Sequence, residues 1–189
     1  MTDPASPAAS RPPLRILPAI VFSQFAGTSL WFAGNAVLGD LPLTAGHPAA
    51  IAWVTQAVQL GFIAGTLVFA LLAVADRRSP RLVFFAAAVA GALANAGSAF
   101  VGASGAAPET GEMSVALAGV LALRFATGVF LAGVYPVGMK IAAGWYRDGL
   151  GQALGLLVGA LVLGTAFPHL LQARSCGAAG ESSTVHAGT

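Results

Sequence analysis

Apolar residues run continuously along this chain, in five stretches at 16–38, 50–75, 82–103, 115–138 and 150–171, and every charged residue but Arg124 lies outside them. About 20 predominantly apolar residues suffice for a helix to cross the hydrocarbon core of a bilayer, and all five runs reach that length. Strands of a membrane barrel would alternate with a period of two over about ten residues, whereas these runs are longer, unbroken and rich in Ala, Leu and Gly. The pattern predicts an all-α membrane protein with five transmembrane helices. Composition agrees: 57% of the 189 residues are hydrophobic and 8% are charged, against about a quarter charged in soluble domains.

The first fifteen residues are rich in Pro, Ala and Ser and read as a disordered lead-in. Arg11 and Arg15 close it, and the apolar run that follows exceeds the 7 to 15 residues of a signal-peptide core, so it reads as an uncleaved first helix. Lys and Arg recur at Arg11, Arg15, Arg77, Arg78, Arg81, Lys140 and Arg147, while the alternate connections hold Asp40, His47, Glu109 and Glu112 without a basic residue. By the positive-inside rule the N-terminus is cytoplasmic, in a plasma (inner) membrane. Five crossings then place Arg174 on the outer side. The basic pI of about 9.2 is explained by these one-sided arginines, so the partner it implies is the lipid bilayer and not nucleic acid.

Catalytic and cofactor chemistry finds little purchase. Cys176 is the single cysteine, and His47, His169 and His186 lie far apart, so neither a disulfide nor a metal site is expected. Gly133 to Lys140 imitates a phosphate-binding loop, but Met139 displaces the lysine by one place and Ile141 stands where a magnesium-binding hydroxyl belongs. Ser29 beside Gly27 and Thr28 has no histidine at a suggestive position. No nucleophile, base and oxyanion site occur together, so the chain is not expected to be an enzyme and calls for no cofactor.

Arg124 is the most informative residue. A guanidinium near the bilayer centre costs about 2.5 to 3.5 kcal/mol on insertion scales, so a helix that carries one usually has a use for it. About nine residues separate it from the start of its run, too many to reach water without a cavity. No acidic residue lies inside any run. Its counter-group is then an anionic solute, a carboxylate from elsewhere, or polar groups of neighbouring helices. On the first run Gln24, Thr28, Trp31 and Asn35 follow at i, i+4, i+7 and i+11, one polar and aromatic stripe. On the fourth, Arg124, Gly128 and Tyr135 share a face. A water-filled cavity between runs one, two and four would satisfy these groups together; interhelical hydrogen bonds would also do so. Gln56 and Gln59 fall on roughly one side of the second run. Gly151, Gly155 and Gly159 form a four-residue repeat that lets another helix approach closely, and Gly128, Gly133, Pro136 and Gly138 permit a bend.

Between the second and third runs stands Ala75-Asp76-Arg77-Arg78-Ser79-Pro80-Arg81, and the fourth run holds Arg124-Phe125-Ala126-Thr127-Gly128. The first resembles the loop motif of the major facilitator superfamily, an acid followed by basic residues between helices two and three. The second resembles that superfamily's Arg-x-x-x-Gly signature in helix four. Leu72, Ser79 and Pro80 depart from the loop pattern, standing in place of two glycines and one basic residue.

The resemblance implies the N-terminal bundle of a secondary transporter. In it Arg124 takes part in binding a small polar or anionic solute or in coupling, and Asp76, Arg77 and Arg81 latch a cytoplasmic gate; helical spacing nominates Gln24, Thr28, Asn35 and Tyr135 as the neighbours of Arg124. The superfamily has two six-helix halves, whereas the segment 172–189 is too polar and too short to span, so a chain truncated after its fifth helix is expected. Self-association is one route to a second bundle. The alternative is a non-transporting membrane fragment or a small structural or interaction protein of the membrane.

Overall fold

The computed structural model describes residues 15–38, 48–105, 114–146 and 149–186. These form α1 (Ile16–Leu38), α2 (Pro48–Leu71), the short α3 (Val74–Arg77), α4 (Pro80–Ser104), α5 (Val115–Leu131), α6 (Tyr135–Trp145) and α7 (Leu150–His186). The chain is thus an all-α integral membrane protein. Four stretches, Ala49–Leu71, Pro80–Ser104, Val115–Trp145 and Leu150–Leu171, are long and apolar enough to cross a bilayer, and α1 adds a shorter apolar stretch, Ile16–Ser29.

Local chemistry sets the helix ends. Pro80 occupies the first turn of α4, where its missing N–H is no loss. Ser114 caps α5 by accepting the Leu117 N–H at 3.1 Å. Between α2 and α3 the chain turns through Ala73, which has a left-handed φ of 48°, and the Ala73 carbonyl accepts the N–H groups of Asp76 and Arg77.

The fourth apolar run, expected as one helix to residue 138, is interrupted and longer. After Leu131 the N–H groups of Gly133 and Val134 bond three residues back, to Phe130 and Leu131, and Pro136 has no N–H to offer the Ala132 carbonyl. The helix therefore breaks at residues 132–134 and resumes as α6 through Trp145. The fifth run also continues beyond its apolar part: α7 passes Leu171 and ends at His186.

Packing is inverted relative to a water-soluble protein. Leu60, Ile63, Leu67, Leu93, Phe100 and Leu163 are exposed, while Gln24, Thr28, Asn95, Ser98, Arg124 and Thr127 are buried. In water such an apolar surface would drive aggregation; in lipid it is the solvated face. With no hydrophobic force between helices in lipid, close approach depends on small residues. A Cβ at Gly61 would fall on the Phe125 carbonyl oxygen and one at Gly128 on that of Val58, so α2 and α5 touch backbone to backbone. At Gly164 of α7 a Cβ would lie 2.9 Å from the Phe25 carbonyl oxygen of α1. These two seams, with α4 against α5, build the bundle. Gly151, Gly155 and Gly159 meet nothing within 4 Å, so the expected close-packing face of α7 serves no helix among the described residues.

Candidate functional site

The Arg124 side chain is wholly buried, at 0% exposure. Its Nη1 donates to Asn95 Oδ1 at 2.6 Å, and Nη1 and Nη2 donate to the Trp31 carbonyl oxygen at 3.4 and 3.3 Å. Three helices therefore converge on one guanidinium: α5 supplies it, α4 the amide and α1 the carbonyl. Polar groups of neighbouring helices thus contact the guanidinium directly. Asn95 did not stand out in the sequence, although the only signal was there: it is the single amide side chain in the α4 run, in a place where an amide needs a partner.

Trp31 separates two cavities. One of about 290 Å³ lies between α1, α2, α7 and the junction of α5 with α6, with Thr28, Phe62, Leu131, Tyr135, Leu161 and Thr165 on its wall. The other, of about 250 Å³ between α1, α4 and α5, is lined by Asn95, Thr127, Phe84 and Gly91 among others. Trp31 packs on Phe32 and Phe62 with ring centroids 5.2 and 5.6 Å away. Arg124 lines neither cavity but holds the Trp31 backbone between them, so it shapes both from behind.

The sequence stripe divides accordingly. Thr28 and Tyr135 meet in the larger cavity. Tyr135, which follows the helix break, lines this cavity, whereas Arg124 lines neither cavity and bonds Asn95 and the Trp31 carbonyl. Thr28 donates to the Gln24 carbonyl at 2.8 Å and Thr165 to that of Val162 at 2.7 Å, which satisfies both hydroxyl protons within their own helices and leaves the oxygens as acceptors. The Tyr135 hydroxyl has no hydrogen-bond partner among the described residues, so it is free to donate there. Gln24 is 1% exposed, and neither Oε1 nor Nε2 has a partner among the described residues. Its Oε1 sits against Gly138, where a Cβ would come within 2.8 Å. Asn35 belongs to α1, but its side chain is outside the described residues. Gln56 and Gln59 face outward.

At one end of the bundle the loop motif splits. Asp76 accepts a charged hydrogen bond from Lys140 Nζ, and Lys140 also donates to the Ala75 carbonyl at 3.1 Å. The carboxylate thereby ties the α3 turn to α6. Arg77 is exposed, and Arg81 turns to the other side, its guanidinium 5.7 Å from the Trp145 ring centroid. The three expected gate residues do not converge. Lys140 went unnoticed as a partner because, in sequence, it counts only as one more basic residue at a helix end.

These groups donate and accept hydrogen bonds and hold one cation inside the bundle. Among the described residues no three His, Cys, Asp or Glu side chains gather as metal ligands would. Comparison with protein-family models, curated proteins and solved structures finds no match for the chain.

Proposed function

We propose that the chain forms the N-terminal bundle of a secondary transporter of the major facilitator type, contributing to the path of a small polar or anionic solute. In this reading five helices cross the plasma (inner) membrane with the N-terminus cytoplasmic. The observation that carries it is the guanidinium buried at mid-span and held by α1 and α4, because an ionised group at that depth marks solute or ion pathways in membrane proteins. The cavity beside it supports the same reading. Thr28, Thr165 and the Tyr135 hydroxyl offer acceptors and a donor there on an otherwise apolar wall, the composition of a small-solute site. The Asp76 and Lys140 pair supplies a breakable latch at the bundle end.

The test is uptake into proteoliposomes of a labelled panel of small organic anions and neutral polar solutes, under an imposed proton gradient. It is joined to cysteine labelling in a Cys176→Ala background. Transport predicts that Thr28→Cys and Tyr135→Cys react with a membrane-impermeant thiol reagent while lipid-facing Leu67→Cys does not. Failure of both cavity cysteines to react, with no uptake of any solute, sinks the reading.

A second reading has one observation in its favour. The protein acceptors around Arg124 are what a structural staple needs, and this suits a non-transporting membrane fragment or a small structural or interaction protein. Loss of folding in Arg124→Met, with no uptake of any solute by the unaltered chain or the variant, would favour this reading.

A further inference from the structure

We propose that the basic end of the bundle binds an anionic phospholipid, its headgroup phosphate on Arg81 beside Trp145 and an acyl chain in the groove between α1, α4 and α6. The groove has a volume of about 470 Å³, and Ile16, Ile20, Phe84 and Ile141 wall it together with Arg81 and Trp145. Ile16 is the first residue of α1, Arg81 the second of α4 and Trp145 the last of α6. Three helix ends therefore meet at its charged mouth, at the level where tryptophan and arginine favour the headgroup layer. From Ile16 to Ser23, which also lines it, the groove follows α1 for about 10 Å at 1.5 Å per residue, into acyl-chain depth.

Charge selects the occupant. Among the described residues the one interaction of the Arg81 guanidinium is with the Trp145 ring, and a ring contact consumes none of its five N–H donors. Lys140, by contrast, is engaged by Asp76 and the Ala75 carbonyl. The α4 N-terminus adds its positive dipole end at Arg81. Below the cation the wall is aliphatic and aromatic, and Ser23, the other polar side chain on it, donates its hydroxyl to the Ala19 carbonyl at 2.8 Å. A free phosphate has no use for that slot, and an acidic peptide would find no partners for its backbone there. An amphiphile with a phosphate head matches both parts, as in the basic clefts between membrane helices that take acidic lipid headgroups. The site rests on the bundle end lying at a lipid headgroup layer and does not depend on transport.

The experiment is native mass spectrometry of the full chain released from detergent, with phosphatidylglycerol, phosphatidylcholine of the same acyl chains, and glycerol 3-phosphate as the headgroup alone. Phosphatidylglycerol is expected to be retained over phosphatidylcholine, and glycerol 3-phosphate not to compete. Arg81→Gln should lower phosphatidylglycerol retention about fivefold, the effect of one arginine at an anionic surface, and leave phosphatidylcholine unchanged. Ala19→Phe, which fills the groove without altering charge, should lower retention of both lipids. Arg78→Gln removes an exposed charge outside the groove and controls for diffuse attraction. Equal retention of the two lipids by the unaltered chain overturns the site, as does competition by glycerol 3-phosphate. A loss in Arg78→Gln as large as in Arg81→Gln overturns it too.

Discussion

Arg124 Nη1 and Asn95 Oδ1 lie 2.6 Å apart, a bond that joins α5 to α4 inside the bundle while the same guanidinium grips the Trp31 carbonyl of α1. Removing the amide alone takes one acceptor away from a wholly buried charged donor. Asn95→Leu should therefore destabilise the fold by about 2 to 3 kcal/mol. Removing both partners takes away the penalty with the bond, so Arg124→Met/Asn95→Leu should recover most of that loss. Denaturant unfolding of the two single variants and the double one, in the same detergent, checks the coupling; costs that simply add would contradict it.

Backbone contact between α2 and α5 makes a second prediction. Gly61→Ala and Gly128→Ala each place a methyl on a carbonyl oxygen of the facing helix, and neither backbone has room to withdraw without opening the seam. Each should cost roughly 1 to 3 kcal/mol, the usual range for overpacking. Gly155→Ala, on the open face of α7, should change stability by less than about 0.5 kcal/mol. Thermal unfolding in detergent separates the two classes, and equal shifts at all three positions would contradict the packing.

The buried amide of Gln24 sets stability against function. With both polar atoms lacking partners among the described residues, Gln24→Leu keeps the side-chain volume and removes the desolvation penalty. A gain of about 1 to 2 kcal/mol is expected. If the amide serves a solute path, the same variant loses uptake while unfolding later. A stability loss in Gln24→Leu would mean that the amide is satisfied in the membrane.

The turn from α2 into α3 depends on Ala73 at a φ of 48°, a conformation that crowds any Cβ. Ala73→Gly should stabilise the protein by about 1 kcal/mol by relieving this strain, and the bulkier Ala73→Val should lower its melting temperature. A melting temperature unchanged in both variants would place the strain elsewhere.

Gln24 and Thr28 show how far the pattern of residues reaches. Polar side chains four apart in an apolar helix have to share a protected face, and both are buried. The helical class, the apolar stretches, the ends marked by Ser114 and Pro80, and the need of Arg124 for polar company all follow from local rules, since bilayer thickness and backbone hydrogen bonding act on each segment separately. Gly133 and Pro136 likewise marked the place where α5 gives way to α6.

Partner choice followed from assembly alone. That Asn95 receives Arg124, that Asp76 meets Lys140 and not the neighbouring arginines, and that Gly61 and Gly128 are packed while Gly151, Gly155 and Gly159 are open depends on which helix faces lie together. In a soluble protein, hydrophobic periodicity would have shown the inner face of each helix. Here lipid and protein interior are equally apolar, so the pattern loses its contrast between inside and outside, and close packing of small residues with a few buried hydrogen bonds decides the arrangement.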